Sequence, residues 1–269
     1  MNNGKKQHPN IYVISLKRAG TRRANMRKEI ERLKESGYEG AIRFFDAVDA
    51  KAGEHKAFSN YSEFFANIFG GPLTDGERAC FASHYLIWEK LAEEDDPDAA
   101  CIIVEDDVEF SPDFLKTVTH CVDSPWECVR LFVIEDLSAR RKAIAENKNE
   151  GVFFTAKRGG GGTQGYFLRK SGAEKFLHAA RHWTHPIDLF MDRYWQHGVA
   201  YVFHFPYAVH DVEMGSEIDK IDNCNRTTLR RRLISQPLHY LVRLADKIKK
   251  NRSKKKFSRI FWGKTGTKL

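Results

Sequence analysis

The run Ala100-Cys101-Ile102-Ile103-Val104-Glu105-Asp106-Asp107-Val108 constrains this chain more than any other stretch. Four successive apolar residues, three of them β-branched, lead directly into three carboxylates. An unbroken apolar run of that kind reads as a strand buried on both faces, as in the middle of an α/β sheet. Ligands of open α/β sheets bind beyond the carboxyl ends of such strands. Three adjacent acids there repel one another, and a bound cation relieves the repulsion. Hard oxygen ligands suit Mg²⁺ or Mn²⁺, which would in turn hold a phosphate. The competing reading is an acidic turn that closes a core strand.

The flanking sequence supports the α/β assignment. Asn10 to Leu16 reads as a first strand, Thr21 as the cap of a helix ending at Gly37, and Ile42 to Phe45 as a second strand. Strand, helix, strand opens a nucleotide-binding α/β unit. Neither GxGxxG nor GxxxxGK(S/T) occurs, so neither a dinucleotide fold nor a P-loop is supported. Ser59 to Phe69 reads as a short helix. Thr74 and Glu77 match a capping box that opens a helix to about Leu91, with Ser83 and His84 on or beside its core face. Ser111-Pro112 predicts an N-cap followed by proline at the first helical position. Further strands are expected at 130–134 and 199–205, with His210 and Asp211 just beyond the latter. The charged segment 138–150 has no strand pattern and reads as a loop or loose helix. The glycine run 159–165 lacks Cβ atoms and can approach a ligand closely; 166–169 is extended again and 171–181 helical.

The net charge of +8 is unevenly placed. Residues 226–269 hold fifteen Lys/Arg against one acid, whereas residues 1–225 hold 29 against 35. Leu229, Leu233, Ile234, Leu238 and Leu241 recur at spacings of three and four among the cations, and Phe261 and Trp262 stand near the end. A basic amphipathic helix of this kind suits an anionic bilayer surface. No nucleic-acid partner is expected, because the body offers no matching motif. The five cysteines are odd in number and lack a CxxC pair, which points to reduced thiols. The first apolar run is too short for a signal core or a membrane span, so a cytoplasmic location is the expectation.

Six short motifs in one order resemble glycosyltransferase family 25, known chiefly from lipooligosaccharide biosynthesis. They are Val13-Ile14-Ser15-Leu16 with Arg22-Arg23, Phe44-Phe45-Asp46-Ala47, Glu77-Arg78-Ala79-Cys80 with Ser83-His84, Glu105-Asp106-Asp107, Gly162-Thr163-Gln164-Gly165-Tyr166, and Pro186-Ile187-Asp188. The resemblance implies a GT-A type α/β fold over residues 1–225, with a mixed central sheet flanked by helices. It also implies inverting transfer from a UDP-sugar, commonly UDP-galactose, onto a lipooligosaccharide sugar, with β-1,4 linkage as the expectation. By the same resemblance Ser15, Leu16, Arg18, Arg22, Asp46 and Ala47 would contact the nucleotide, with Glu77, Ser83 and His84 shaping the pocket. Glu105, Asp106, Gly162, Thr163 and Gly165 would border the donor. Asp107 and Glu105 are the expected ligands of Mn²⁺ or Mg²⁺, with His210 a candidate third. Asp188 is the candidate base that takes the acceptor proton, its alternative being a helix cap, with Asp192 and Glu109 in reserve. The enzyme would sit at the cytoplasmic face of the inner membrane, held by 226–269 beside a lipid-linked acceptor. A sugar-nucleotide hydrolase or nucleotidyltransferase, or a binding protein acting through the tail, are the competing classes.

Overall fold

The computed structural model describes residues 8–69, 71–134, 142–147, 151–155, 160–212 and 247–249. Among the described residues the strands are, in chain order, β1 (Asn10–Ser15), β2 (Ile42–Asp46), β3 (Ala100–Glu105), β4 (Val108–Phe110), β5 (Cys128–Arg130), β6 (Lys142–Asn147), β7 (Gly151–Thr155), β8 (Gly165–Arg169), β9 (Tyr201–Phe205) and β10 (Val209–Asp211). The α-helices that accompany them are α1 (Gly20–Glu35), α2 (Glu63–Phe69), α3 (Asp75–Ala92), α4 (Phe114–Asp123), α5 (Lys170–Ala179), α6 (Ile187–Met191) and α7 (Tyr194–His197). Eight strands make one mixed sheet in the order β2-β1-β3-β8-β5-β9-β7-β6, and β4 pairs with β10 in a separate ribbon. The expected α/β architecture, a mixed sheet flanked by helices, is the one found.

β1 runs parallel to both β2 and β3, with Ile11 opposite Ile42 on one side and Ile102 on the other. β8 then runs antiparallel to β3 and β5. Alternation along the parallel strands feeds two cores. Tyr12, Ile14, Cys101 and Ile103 join α3 and α5 on one face, while Ile11, Val13, Ile102 and Val104 join α1 and α4 on the other. The central apolar run is thus buried on both sides, as its unbroken pattern requires. On the α3 face an aromatic cluster binds α6 and the turn before it to α3: Phe81 lies 4.2 Å from Trp183 and 5.2 Å from Phe190 between ring centroids.

Several boundaries differ from the sequence expectation. The α1 cap is Ala19, not Thr21, because a turn closed by Ala19 N–H to Leu16 C=O starts the helix directly after the strand. Gly37 does end it, with φ of 99°. The α2 helix begins at Glu63 rather than Ser59. The α4 helix starts at Phe114, since Ser111 is held by its N–H to Ala208 C=O. The strand expected at 130–134 lies at 128–130, between β8 and β9. Part of the segment read as loop or loose helix is strand β6, which pairs with the unanticipated β7. His210 lies inside a strand, β10, rather than beyond the last one. Among the described residues no helix is long and apolar enough to cross a membrane. The tail expectation falls outside the described residues except at 247–249, which are helical.

Candidate active site

A pocket of about 600 Å³ opens at the carboxyl ends of β1, β2 and β3. From β1 the chain passes to β2 on one side and later to β3 on the other, so the strand order reverses there, where open α/β sheets hold ligands. The loop after β1 supplies Ser15, Leu16, Arg18 and Arg22 to the wall; that after β2 supplies Ala47, Asp49 and Lys51. The first turns of α3 contribute Thr74, Asp75, Gly76 and Cys80, then Ser83 and His84, and the end of β3 contributes Glu105, Asp106 and Asp107.

The polar groups of this pocket are cross-braced. Buried Ser15 donates its hydroxyl to Asp106 Oδ2 at 2.5 Å. One nitrogen of Arg22 bridges Asp106 Oδ1 at 3.0 Å and Asp107 Oδ2 at 3.1 Å. Arg23 donates to the Ser15 carbonyl at 2.8 Å, the Leu16 carbonyl at 3.1 Å and Asp46 at 2.6 Å. That bond holds the Asp46 carboxyl below its ordinary range, and the Arg18 bond at 2.7 Å does the same for Asp49. Ser83 accepts from Val48 N–H at 2.9 Å and donates to Ala79 C=O, fastening the β2 loop to α3. Glu77 closes the capping box with Thr74, as its spacing predicts, and its carboxylate serves the helix end. Asp106, Ser83 and Glu77 therefore shape the pocket from within its framework.

Glu105 and Asp107 have opposite electrostatic surroundings. Burial pushes the Glu105 carboxyl up, but His84 and the Thr163 hydroxyl, which donates at 2.7 Å, outweigh it and leave the group lowered. Asp107 is pushed up to about 7, first by burial and then by Glu105, against the pull of Arg22. Among the described residues its buried Oδ1 has no hydrogen-bond partner. A buried, partnerless carboxylate oxygen beside two more carboxylates is the environment that a hard divalent cation completes, so the residues fit Mn²⁺ or Mg²⁺. His210 stands exposed on β10, opposite Glu109, and does not line the pocket. The β10 strand nonetheless leads to Val212, whose N–H bonds the Asp107 carbonyl at 2.8 Å.

The glycine run, Gly162, Thr163 and Gly165 included, does not line this pocket and meets it only through the Thr163–Glu105 bond. Gly162 has φ of 65°, and a Cβ there would lie 2.8 Å from Phe132. Gly165 opens β8 with Val209 packed where its Cβ would project, 2.9 Å away. Thr163, between them, is buried against Glu105. Behind this loop the fully buried Arg130 donates to Gly161 C=O at 2.8 Å and faces Tyr201, whose hydroxyl donates to Asp192 at 2.8 Å. Asp192 is thereby committed to a buried network. Asp188, in the first turn of α6, accepts from Leu189 N–H at 2.7 Å and is only half-buried. It is not among the residues that line the pocket.

Asp49 and Lys51 line the pocket although the sequence gives no site signal for them, and the Thr74–Gly76 turn, expected only as the capping box of α3, lines it too. Tyr166 was quoted only as part of a motif, yet its hydroxyl accepts from Trp88 Nε1 at 2.9 Å and lies 2.8 Å from His84 Nδ1.

Comparison with known proteins identifies the family. The family described as "Glycosyltransferase family 25 (LPS biosynthesis protein)" matches residues 8–191. The lipooligosaccharide biosynthesis protein lic2B of Haemophilus influenzae is 39% identical over 97 residues, 36% of this chain and 33% of that protein. A glycosyltransferase 25 family member of Aedes aegypti is 28% identical over 176 residues, 62% of this chain and 27% of that protein. Procollagen galactosyltransferase 1-B of Xenopus laevis is 29% identical over 187 residues, 63% of this chain and 28% of that protein. The matches thus span about a third or less of the length of these relatives. With the family match covering β1 through α6 and every wall of the pocket, the chain belongs to glycosyltransferase family 25.

Proposed function

We propose that the protein is a divalent-cation-dependent, inverting glycosyltransferase that moves a sugar, most simply galactose from UDP-galactose, onto a sugar of a lipooligosaccharide acceptor, with β-1,4 as the expected linkage. The observation that carries the reading is the acidic end of β3 facing the nucleotide-sized pocket of the β1–β2 unit. The relatives named for lipooligosaccharide biosynthesis and for galactosyl transfer support the choice of donor and acceptor.

In this mechanism the loop after β1 and the Ala47–Asp49 turn receive the uridine, and Arg18 and Arg22 lie toward the phosphates. Arg22 and Ser15 keep Asp106 and Asp107 from separating as the ligand enters. Asp107 and Glu105 would hold the cation, with His210 the remaining candidate, and once bound the cation neutralises charge on the departing diphosphate. Thr163 fixes the rotamer of Glu105, and the glycine loop lets the donor sugar lie against backbone. Asp188 accepts the proton of the attacking hydroxyl, because the other carboxylate nearby, Asp192, is already bound to Tyr201. The basic segment 226–269 would hold the enzyme at an anionic, cytoplasm-facing membrane surface near its amphiphilic acceptor.

Release of UDP from UDP-galactose, followed with and without an oligosaccharide acceptor, tests the reading. A transferase turns over rapidly only with acceptor present; equal release in its absence identifies a hydrolase.

A further inference from the structure

We propose that Cys80, His84 and Glu105 form a second metal site on the inner wall of the pocket, suited to Zn²⁺, which shares Glu105 with the proposed oxygen-lined site at Asp107 and adds a sulfur and a nitrogen ligand. Cys80 and His84 stand four residues apart on α3 and so leave the same helix face. The end of β3 brings Glu105 against them, and one ligand atom from each side chain lies within 4.8 Å of the others. Tetrahedral zinc, with bonds of about 2.0–2.3 Å, holds its ligands roughly 3.3–3.8 Å apart. His84 Nε2 and Glu105 Oε1 are already 3.8 Å apart, and shifts of about 1 Å close the rest.

An independent observation points to a ligand here. His84 is fully buried, yet among the described residues its Nε2 has no hydrogen-bond partner, Glu105 Oε1 standing 3.8 Å away. Its other nitrogen lies 2.8 Å from Tyr166 Oη, itself held by Trp88, the outer contact that orients a metal-binding imidazole. When zinc binds, the Cys80 thiol loses its proton to solvent and the S–metal bond forms. Nδ1 then carries the imidazole proton and donates it to Tyr166 Oη, and the fourth position faces the pocket. A sulfur, nitrogen and oxygen set favours zinc over Mg²⁺ or Mn²⁺. Because Glu105 borders the donor region as well, zinc on this wall excludes UDP. That consequence rests on the proposed function; the binding itself does not.

Titrating the metal-free full chain with Cd²⁺, a spectroscopic stand-in for zinc, tests the site. Thiolate-to-cadmium absorption should appear in the wild type, be displaced by Zn²⁺ but not by excess Mn²⁺, persist in Asp107→Asn, and be lost in Cys80→Ser. Without any substitution, Zn²⁺ should slow maleimide labelling of the half-exposed Cys80, read by peptide mapping. Absence of the cadmium band, its survival in Cys80→Ser, or labelling unchanged by zinc overturns the site. Zinc-loaded protein that binds UDP as tightly as the zinc-free form overturns the exclusion. UDP that fails to bind under any condition counts against the donor-site reading and leaves the cadmium result standing.

Discussion

Asp107 concentrates the physics of the site in one side chain. Its carboxyl is pushed up to about 7, whereas an unfolded-chain carboxylate titrates near ~3.9. The folded state therefore holds that proton more tightly. The contribution is fully present below about pH 4 and is lost as pH rises toward 7. In the absence of divalent cations the wild type should lose on the order of 2–4 kcal/mol from this group across that window. Asp107→Asn should show a shallower loss, and Mn²⁺ at about pH 7.5 should restabilise the wild type alone. Urea denaturation at both ends of the window checks this; equal slopes for the two proteins contradict it. At Asp188, substitution by Asn should lower kcat about 10²–10⁴-fold while leaving UDP affinity nearly unchanged. Steady-state kinetics with UDP calorimetry separates that outcome from loss of a mere helix cap, which would alter stability and not kcat. Both residues could be nominated from sequence because each stands in a short motif. The bond between His84 and Tyr166 could not, because 82 positions separate them and no local pattern marks a buried polar pair.

At the scale of elements, the parallel unit was legible and the far half of the sheet was not. The β3 strand announces itself because both its faces are buried, leaving no polar interruption. The capping box of α3 was equally plain, as the geometry needs only two side chains three residues apart. The β6 strand is different: it is the edge of the sheet, and its register shifts between Ala143 and Ala145, which erases a period of two. The glycine run was read as close-approach backbone, and the structure supplies the reason at Gly162. Gly162→Ala places a Cβ on a backbone with φ of 65° and against Phe132 and Ile134. It should cost about 1–3 kcal/mol and, by moving Thr163 from Glu105, raise KM for the donor severalfold. Thermal melts and donor saturation curves measure both effects.

Taken whole, the molecule sets two helical layers against a twisted mixed sheet and places the pocket where the parallel strands diverge. The acidic body and the basic tail have separate roles in the proposal, and the tail's role is open to a direct test. Removing residues 226–269 should weaken binding to anionic vesicles at least tenfold while transfer to a soluble acceptor changes less than about twofold. Equal loss of both would make the tail part of the catalytic fold. Charge partition was legible at this scale, since fifteen cations against one acid is a compositional fact. The pocket was only partly so: its walls come from four separated segments whose meeting depends on strand order.

In the proposed mechanism the acids at the end of β3 and the pocket of the β1–β2 unit together hold a cation and a uridine diphosphate. Calorimetric titration of UDP into wild type and Asp107→Asn, each with and without Mn²⁺, tests this. Tight binding is expected only for the wild type with Mn²⁺, with at least tenfold, or about 1.4 kcal/mol, lost in the other three cases. Equal UDP affinity in all four would contradict it.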